Sequence, residues 1–206
     1  MTKALLFDLD GVLTTDRNGS LTMSKNLCEI VPGLSVEEVL TCYREDIEPL
    51  NMGRIALKEV WKRLCATFKI TPEEKLLMEI LRKSPKNDAM FVLARSLQHR
   101  YVLGIITDNS RERMEVLTKE WSLGELFDPI VVSANEHASK FDGTTTIFEA
   151  ALKRAGCTAD EAVFIDNQKR NLVTPARMGM KTYFHDDARN DLSALRIALK
   201  EMGIEL

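Results

Sequence analysis

From residue 102 onward the sequence alternates between two hydrophobic periods. Short apolar runs, VLGIITD (102–108), PIVVSA (129–134), AVFIDN (162–167) and KTYFH (181–185), sit among segments whose apolar residues recur three and four apart. Those helical segments cover 87–99, 110–121, 144–155 and 189–202. A short run with no polar alternation reads as a strand covered on both faces. Strands of that kind, each separated from the next by a helix, specify a parallel sheet between two helical layers. An earlier run, ALLFDLD (4–10), supplies one more strand near the N-terminus. The expected class is therefore α/β, a three-layer α/β/α core.

The stretch from Thr15 to Pro85 follows a different rule. It contains helical patterns such as SVEEVLTCYRED (35–46) and LKEVWKRLCATF (57–68), broken by Pro32-Gly33, Pro49, Gly53 and Thr71-Pro72. No strand-like alternation interrupts it. It is expected to form a small α-helical bundle, 15–85, inserted after the first strand, with residues 1–14 and 86–206 building the α/β core.

Composition narrows the function classes. A net charge of −3 over 206 residues provides no general basic surface, so neither nucleic acid nor anionic lipid is an expected partner. No window has the apolar length of a membrane span, and the N-terminal segment lacks the apolar stretch of a signal peptide; a cytoplasmic protein is expected. Cys28, Cys42, Cys65 and Cys157 match no zinc spacing and form no C-x-x-C pair, so they read as reduced packing residues. Oligomeric state leaves no signature.

Chemistry is expected where parallel strands end, because ligands of open α/β sheets collect beyond the carboxyl edge. The first strand ends in Asp8 and Asp10, the next in Thr107, Asp108 and Asn109, and another in Asp166 and Asn167; Lys140 follows the strand between them. Clustered carboxylates resist ionisation unless a cation joins them. A hard divalent ion with oxygen ligands, Mg²⁺, meets that need while leaving room for a phosphate. One aspartate is then free to attack phosphorus, and a helix opening at Ser110 brings its N-terminal amides to the same place.

These residues carry a family resemblance over essentially the whole chain. DLDGVLT resembles the D-x-D-G-x-[TV]-L nucleophile motif of the haloacid dehalogenase (HAD)-like hydrolase superfamily, IITDN its second motif, Lys140 its third and VFIDNQKRN its fourth. The insertion after the first motif, including GRIALKEVW, is similar to the cap of the α-capped subfamily. The resemblance implies a HAD-like Rossmannoid core and a Mg²⁺-dependent phosphatase acting through an aspartyl-phosphate on a small phosphorylated metabolite, such as a sugar phosphate or nucleotide. It implies Asp8 as nucleophile and metal ligand, and Asp10 as general acid/base with its carbonyl on the metal. Asp166 completes the metal set; Thr107, Asp108, Asn109 and Lys140 hold the phosphate.

Three departures accompany the match. Asn167 stands where many relatives have a second acid, KFDGTTTIF replaces a K-P-D-P-x-I-F pattern, and Asp108 replaces a frequent Asn. A β-phosphoglucomutase-like phosphomutase keeps the same motifs and stays open, as does a non-catalytic phospholigand-binding relative. Family dehalogenases lack the second acid, which Asp10 supplies here. A phosphonate hydrolase would use a cap lysine as a Schiff base, and none is marked out. Arg54 is a candidate contact from the cap to a substrate, and Asp186-Asp187 a candidate cap of the last helix.

Overall fold

The computed structural model describes residues 1–206. Strand β1 (Ala4–Phe7) is completely buried, and its side chains divide between two hydrophobic clusters. Leu5 and Phe7 enter one cluster, while Ala4 and Leu6 enter the other. The two-residue period of a strand thus sends alternate residues to opposite faces, and an all-apolar run is the only composition that satisfies both.

The remaining strands are β2 (Val102–Thr107), β3 (Ile130–Val132), β4 (Ala162–Asp166) and β5 (Lys181–Phe184). All pair in parallel, in the order β3-β2-β1-β4-β5. Phe7 is in register with both Ile105 and Ile165, so β2 runs two residues and β4 one residue beyond the end of β1 at the carboxyl edge. The chain builds outward from β1 to β3 and then returns to place β4 on the other side of β1. The strand order therefore reverses around β1, where a crevice opens at the carboxyl edge.

Five helices lie between β1 and β2 before the core resumes. They are α1 (Gly19–Ile30), α2 (Val36–Cys42), α3 (Arg44–Asn51), α4 (Leu57–Phe68) and α5 (Glu74–Arg82). They share their own buried cluster, which includes Leu27, Val39, Tyr43, Leu57, Trp61, Leu64 and Ile80. Local signals set their ends: Asn18 caps α1 through Leu21 N–H, and Ser35 and Glu38 form a capping box on α2. The single helical run expected over 35–46 breaks at Tyr43, whose side chain is buried and donates its hydroxyl to the Ser20 carbonyl at 2.7 Å. Pro49, expected as a helix breaker, instead lies inside α3.

The core continues with α6 (Asp88–Leu97), α7 (Arg111–Glu120), the short α8 (Ser133–Glu136), α9 (Thr146–Ala155), α10 (Val173–Arg177) and α11 (Leu192–Glu201). The N-cap of α11 is Asp191, which accepts from Ala194 N–H at 2.9 Å, rather than the expected Asp186-Asp187 pair. Asp186 closes a turn through the amides of Ala188 and Arg189, and Asp187 accepts from Asn167. The apolar stripe of the last helix starts too late for those two acids to cap it. No helix is long and apolar enough to cross a membrane.

Two adjacent connections join the helical bundle to the core. Thr15 N–H bonds the Pro85 carbonyl at 2.9 Å, Asn87 N–H bonds the Leu13 carbonyl at 2.9 Å, and Thr14 and Lys86 form an antiparallel bridge. This two-strand stem brings the bundle directly over the end of β1. Further contacts cross the gap: Ser133 Oγ donates to the Asn51 carbonyl at 2.6 Å, and Leu57 N–H bonds Glu112 Oε1 at 2.9 Å. At Gly53 an added Cβ would lie 2.3 Å from the Ala134 carbonyl oxygen, so bundle and core meet there at backbone distance.

Candidate active site

Asp8 directly follows β1, and the chain then turns sharply through residues 9–13, with Thr14 N–H bonding the Leu9 carbonyl at 2.8 Å. The turn needs Gly11 for two reasons. Its φ is +79°, and a Cβ there would fall 2.0 Å from Asn167 Nδ2. Gly11→Ala should cost about 2 kcal/mol or more, from left-handed strain plus the clash. Thermal denaturation should then show Tm lowered by roughly 4–8 °C; an unchanged Tm would contradict this account of the turn.

The two acids of this turn have different partners. Asp8 Oδ1 accepts from Leu9 N–H and from Lys140 Nζ, both at 2.7 Å, while its second oxygen is uncommitted. Lys140 Nζ also meets Asp166 Oδ2 at 2.7 Å. Asp166 Oδ1 accepts from Gln168 N–H at 2.6 Å, and Asn171 Nδ2 lies 3.0–3.1 Å from both of its oxygens. Asp8, Lys140 and Asp166 are all buried, with Asp166 completely so. Burial pushes the Asp8 carboxyl well above the usual carboxylate range; the charges of Asp166 and Asp10 push the same way, against Lys140. Burial alone would lower the Lys140 ammonium, but Asp166 and Asp8 outweigh it and hold it above its ordinary value. Lys140 is a fixed cation between two carboxylates.

Asp10 faces the other way. Its oxygens are gripped by the Arg113 guanidinium, Nη1 to Oδ2 and Nη2 to Oδ1, both at 2.8 Å. Asn109 Nδ2 adds a bond to Oδ2 at 3.0 Å and lies 3.3 Å from Thr107 Oγ1. Thr107 is buried behind Asn109 and does not border the cavity. Asp108 borders it, but its Oδ1 accepts from Lys140 N–H at 3.1 Å, fastening the strand-end loop to the lysine segment. Burial raises the Asp108 carboxyl, opposed by Lys140.

A cavity of about 940 Å³ lies between the sheet edge and the bundle, with Asp166 and Thr107 set behind its wall. Its floor includes Asp8, Asp10, Asp108, Asn109 and Lys140, and the bundle contributes Met23, Tyr43, Leu50 and Met52. Arg17, Lys169 and Arg170 stand around it, with Phe141 under the Arg170 guanidinium at 4.1 Å. Arg54 is not in its wall; it pairs with Glu48 on the surface. Of the residues expected at the site, Asp8, Lys140 and Asp166 meet directly, and Asp10 and Asn109 form a second group beside them.

Two participants were not expected from the sequence, Arg113 and Asn171. Asn171 lies within VFIDNQKRN, five residues beyond Asp166, with nothing to mark it. Arg113 had a signal. It lies four residues before Leu117 and next to Met114, on the buried side of α7, where an arginine needs a specific partner.

No group of three or more acid, histidine or cysteine side chains converges to hold a metal ion. The available donor set has another composition. Asp8 and Asp166 supply carboxylates, the Asp10 main chain can supply a carbonyl, and Asn167 supplies an amide. Asn167 Nδ2 donates to the Arg17 carbonyl at 3.0 Å and lies 3.3 Å from Asp187 Oδ1, which turns Oδ1 away. That Oδ1 is buried and has no partner. An orphaned amide oxygen on the residue that follows Asp166 fits a hard cation and its bound water.

The sequence profile of the haloacid dehalogenase-like hydrolases matches residues 5–184. No curated protein matches in sequence. Among solved structures, a HAD-family enzyme from Bacteroides thetaiotaomicron is similar with a TM-score of 0.74 at 19% identity, over 95% of this chain and 99% of that one; it was crystallised as an aspartate-to-alanine mutant with magnesium and inorganic phosphate. A predicted HAD-like hydrolase from Porphyromonas gingivalis gives 0.73 at 19% identity, over 97% and 98% of the two chains. L-2-haloacid dehalogenase from Xanthobacter autotrophicus, with chloropropionic acid covalently bound, gives 0.67 at 17% identity, over 100% and 85%. The strand order, the acids at the end of β1 and a profile match across most of the sequence agree: this chain belongs to the haloacid dehalogenase-like hydrolase family.

Proposed function

We propose that the protein is a Mg²⁺-dependent phosphatase that hydrolyses a small phosphorylated metabolite through an aspartyl-phosphate on Asp8, with residues 15–85 serving as its cap. The observation that carries this reading is the division of labour between two acids in one cavity. Asp8 has one oxygen held by Leu9 N–H and Lys140 and the other uncommitted, as a nucleophile requires. Asp10, two residues on, is held separately by Arg113 and Asn109, as a proton-transfer group requires.

Asp8 attacks phosphorus as the ester oxygen departs, and Asp10 delivers a proton to that oxygen. Asp10 then takes a proton from the water that attacks phosphorus, releasing phosphate and restoring Asp8. Lys140 and the Asp108–Asn109 segment hold the phosphoryl oxygens, and Lys140 keeps Asp8 aligned throughout. Asp8, Asp166, the Asp10 carbonyl and Asn167 would hold Mg²⁺, which when bound supplies positive charge to Asp8 and the phosphoryl group. The bundle covers the cavity, limits water and contributes the apolar wall that meets the rest of the substrate.

The magnesium and phosphate bound by the Bacteroides enzyme support this reading. The haloacid dehalogenase shares the fold, but the resemblance implies that dehalogenases have no acid at the position of Asp10. Incubation with p-nitrophenyl phosphate and with 2-chloropropionate separates the two chemistries. Release of p-nitrophenol that requires Mg²⁺ and stops with EDTA is expected, with no chloride released. Chloride release without phosphatase activity would overturn the proposal.

A further inference from the structure

Arg113 is the one arginine of the chain that is almost completely buried, and it reaches the site from behind, out of α7. Both of its terminal nitrogens engage Asp10, in the planar two-bond geometry that a guanidinium offers a carboxylate. A buried ion pair of this kind brings little net stability compared with apolar packing, so its presence calls for another reason. Its surroundings supply one. Arg113 Nη2 also lies 3.3 Å from Ser84 Oγ, on the returning connection from the bundle. At the start of α1, a Cβ added to Gly19 would fall 2.6 Å from Arg113 Nη1 and 3.1 Å from Asp10 Oδ2.

Gly19 needs no special backbone conformation, since its φ is not in the left-handed region. It opens helix α1, where alanine would be the better helix former. The space its missing side chain leaves is filled by the Arg113–Asp10 pair. The guanidinium therefore sits against the start of α1 and Ser84 on one side and the acid on the other.

We infer that Arg113 is the positioning residue for Asp10, fixing the carboxylate for proton transfer, and that Gly19 is glycine so that the guanidinium can reach it. This inference rests on the phosphatase reading above. Asp10 Oδ2 accepts from Arg113 and Asn109, and Oδ1 accepts from Arg113 and, at 3.4 Å, from Thr14 Oγ1, so both oxygens of the carboxylate are fixed in position.

The test compares two aryl esters of similar shape in the intact Mg²⁺-loaded protein. p-Nitrophenyl phosphate expels a good leaving group with little need of a proton, while phenyl phosphate needs more help. Arg113→Gln and Gly19→Ala should each lower kcat/KM for phenyl phosphate at least about tenfold more than for p-nitrophenyl phosphate. Arg113→Lys should recover only part of the loss, because an ammonium cannot grip both oxygens in one plane. In an Asp10→Ala background the Arg113→Gln change should cost little further, since the two act as one unit. Equal losses on both esters, with additive effects in the double variant, would assign Arg113 a structural role only and overturn the inference. If the parent protein turns over neither ester, the phosphatase reading itself fails, and the positioning role with it.

Discussion

Asp8→Asn is expected to lower phosphatase turnover by about 10⁴-fold or more, the scale on which removal of a covalent nucleophile is felt, while leaving the fold intact. An amide in this position keeps the shape of the side chain and can still accept from Leu9 N–H and Lys140. Stability should not fall, and the sign follows from the direction of the Asp8 shift. A carboxyl whose folded pKa is raised contributes stability that is present below its ordinary value and lost as pH rises through the folded one. At neutral pH, without metal, Asp8 is therefore a destabilising group, and a neutral isostere removes that cost. The measurement is a paired one, steady-state turnover and Tm on the same preparation. Loss of turnover with Tm equal to or above the parent's is expected; a variant retaining a tenth or more of the parent rate would remove Asp8 from the chemistry.

Lys140→Met should fail in the opposite manner, losing both stability and activity. The substitution leaves Asp8 and Asp166, 4% and 0% exposed, facing each other without the ammonium that lies 2.7 Å from each. Breaking a buried pair by removing one partner costs about 3–5 kcal/mol, because the remaining charge stays desolvated. Tm in the absence of metal should fall by roughly 10 °C, and Mg²⁺ should restore part of it by binding the folded state. Turnover should fall by about 10²–10³-fold even when the protein is folded, as a fixed charge near the phosphoryl group is lost. Arg in this position is not a remedy: the planar fork cannot occupy a buried slot made for one nitrogen between two carboxylates. A Lys140→Met protein as stable as the parent without metal would contradict the ion-pair geometry described here.

The architecture was legible because its signals are periodic and local. A strand such as Ala4–Phe7 must be apolar on both faces, and α7 and α9 repeat apolar residues at helical spacing, so the parallel sheet follows from pattern alone. The sequence also located the acids, because a charge ending a buried strand violates the pattern that precedes it. What escaped was the pairing among these polar groups. Whether Asp10 faces Lys140 or Arg113 depends on the turn at Gly11 and on which side α7 approaches, and neither is encoded in spacing. Helix boundaries slipped for a similar reason. Tyr43 divides α2 from α3 because its hydroxyl reaches Ser20, a contact 23 residues away that no local period records. Asp191 rather than Asp186 or Asp187 caps α11, since those earlier acids are committed to a turn and to Asn167.

The central claim is that phosphate passes through Asp8. Its most direct test is a rapid acid quench of the Mg²⁺-loaded protein during the first turnover of p-nitrophenyl phosphate, followed by peptide mass spectrometry. The account predicts a peptide containing Asp8 that carries the added mass of one phosphoryl group, appearing with the first p-nitrophenol and decaying at the rate of turnover. Turnover that proceeds with no such adduct, or with the phosphoryl group on another residue, would contradict it.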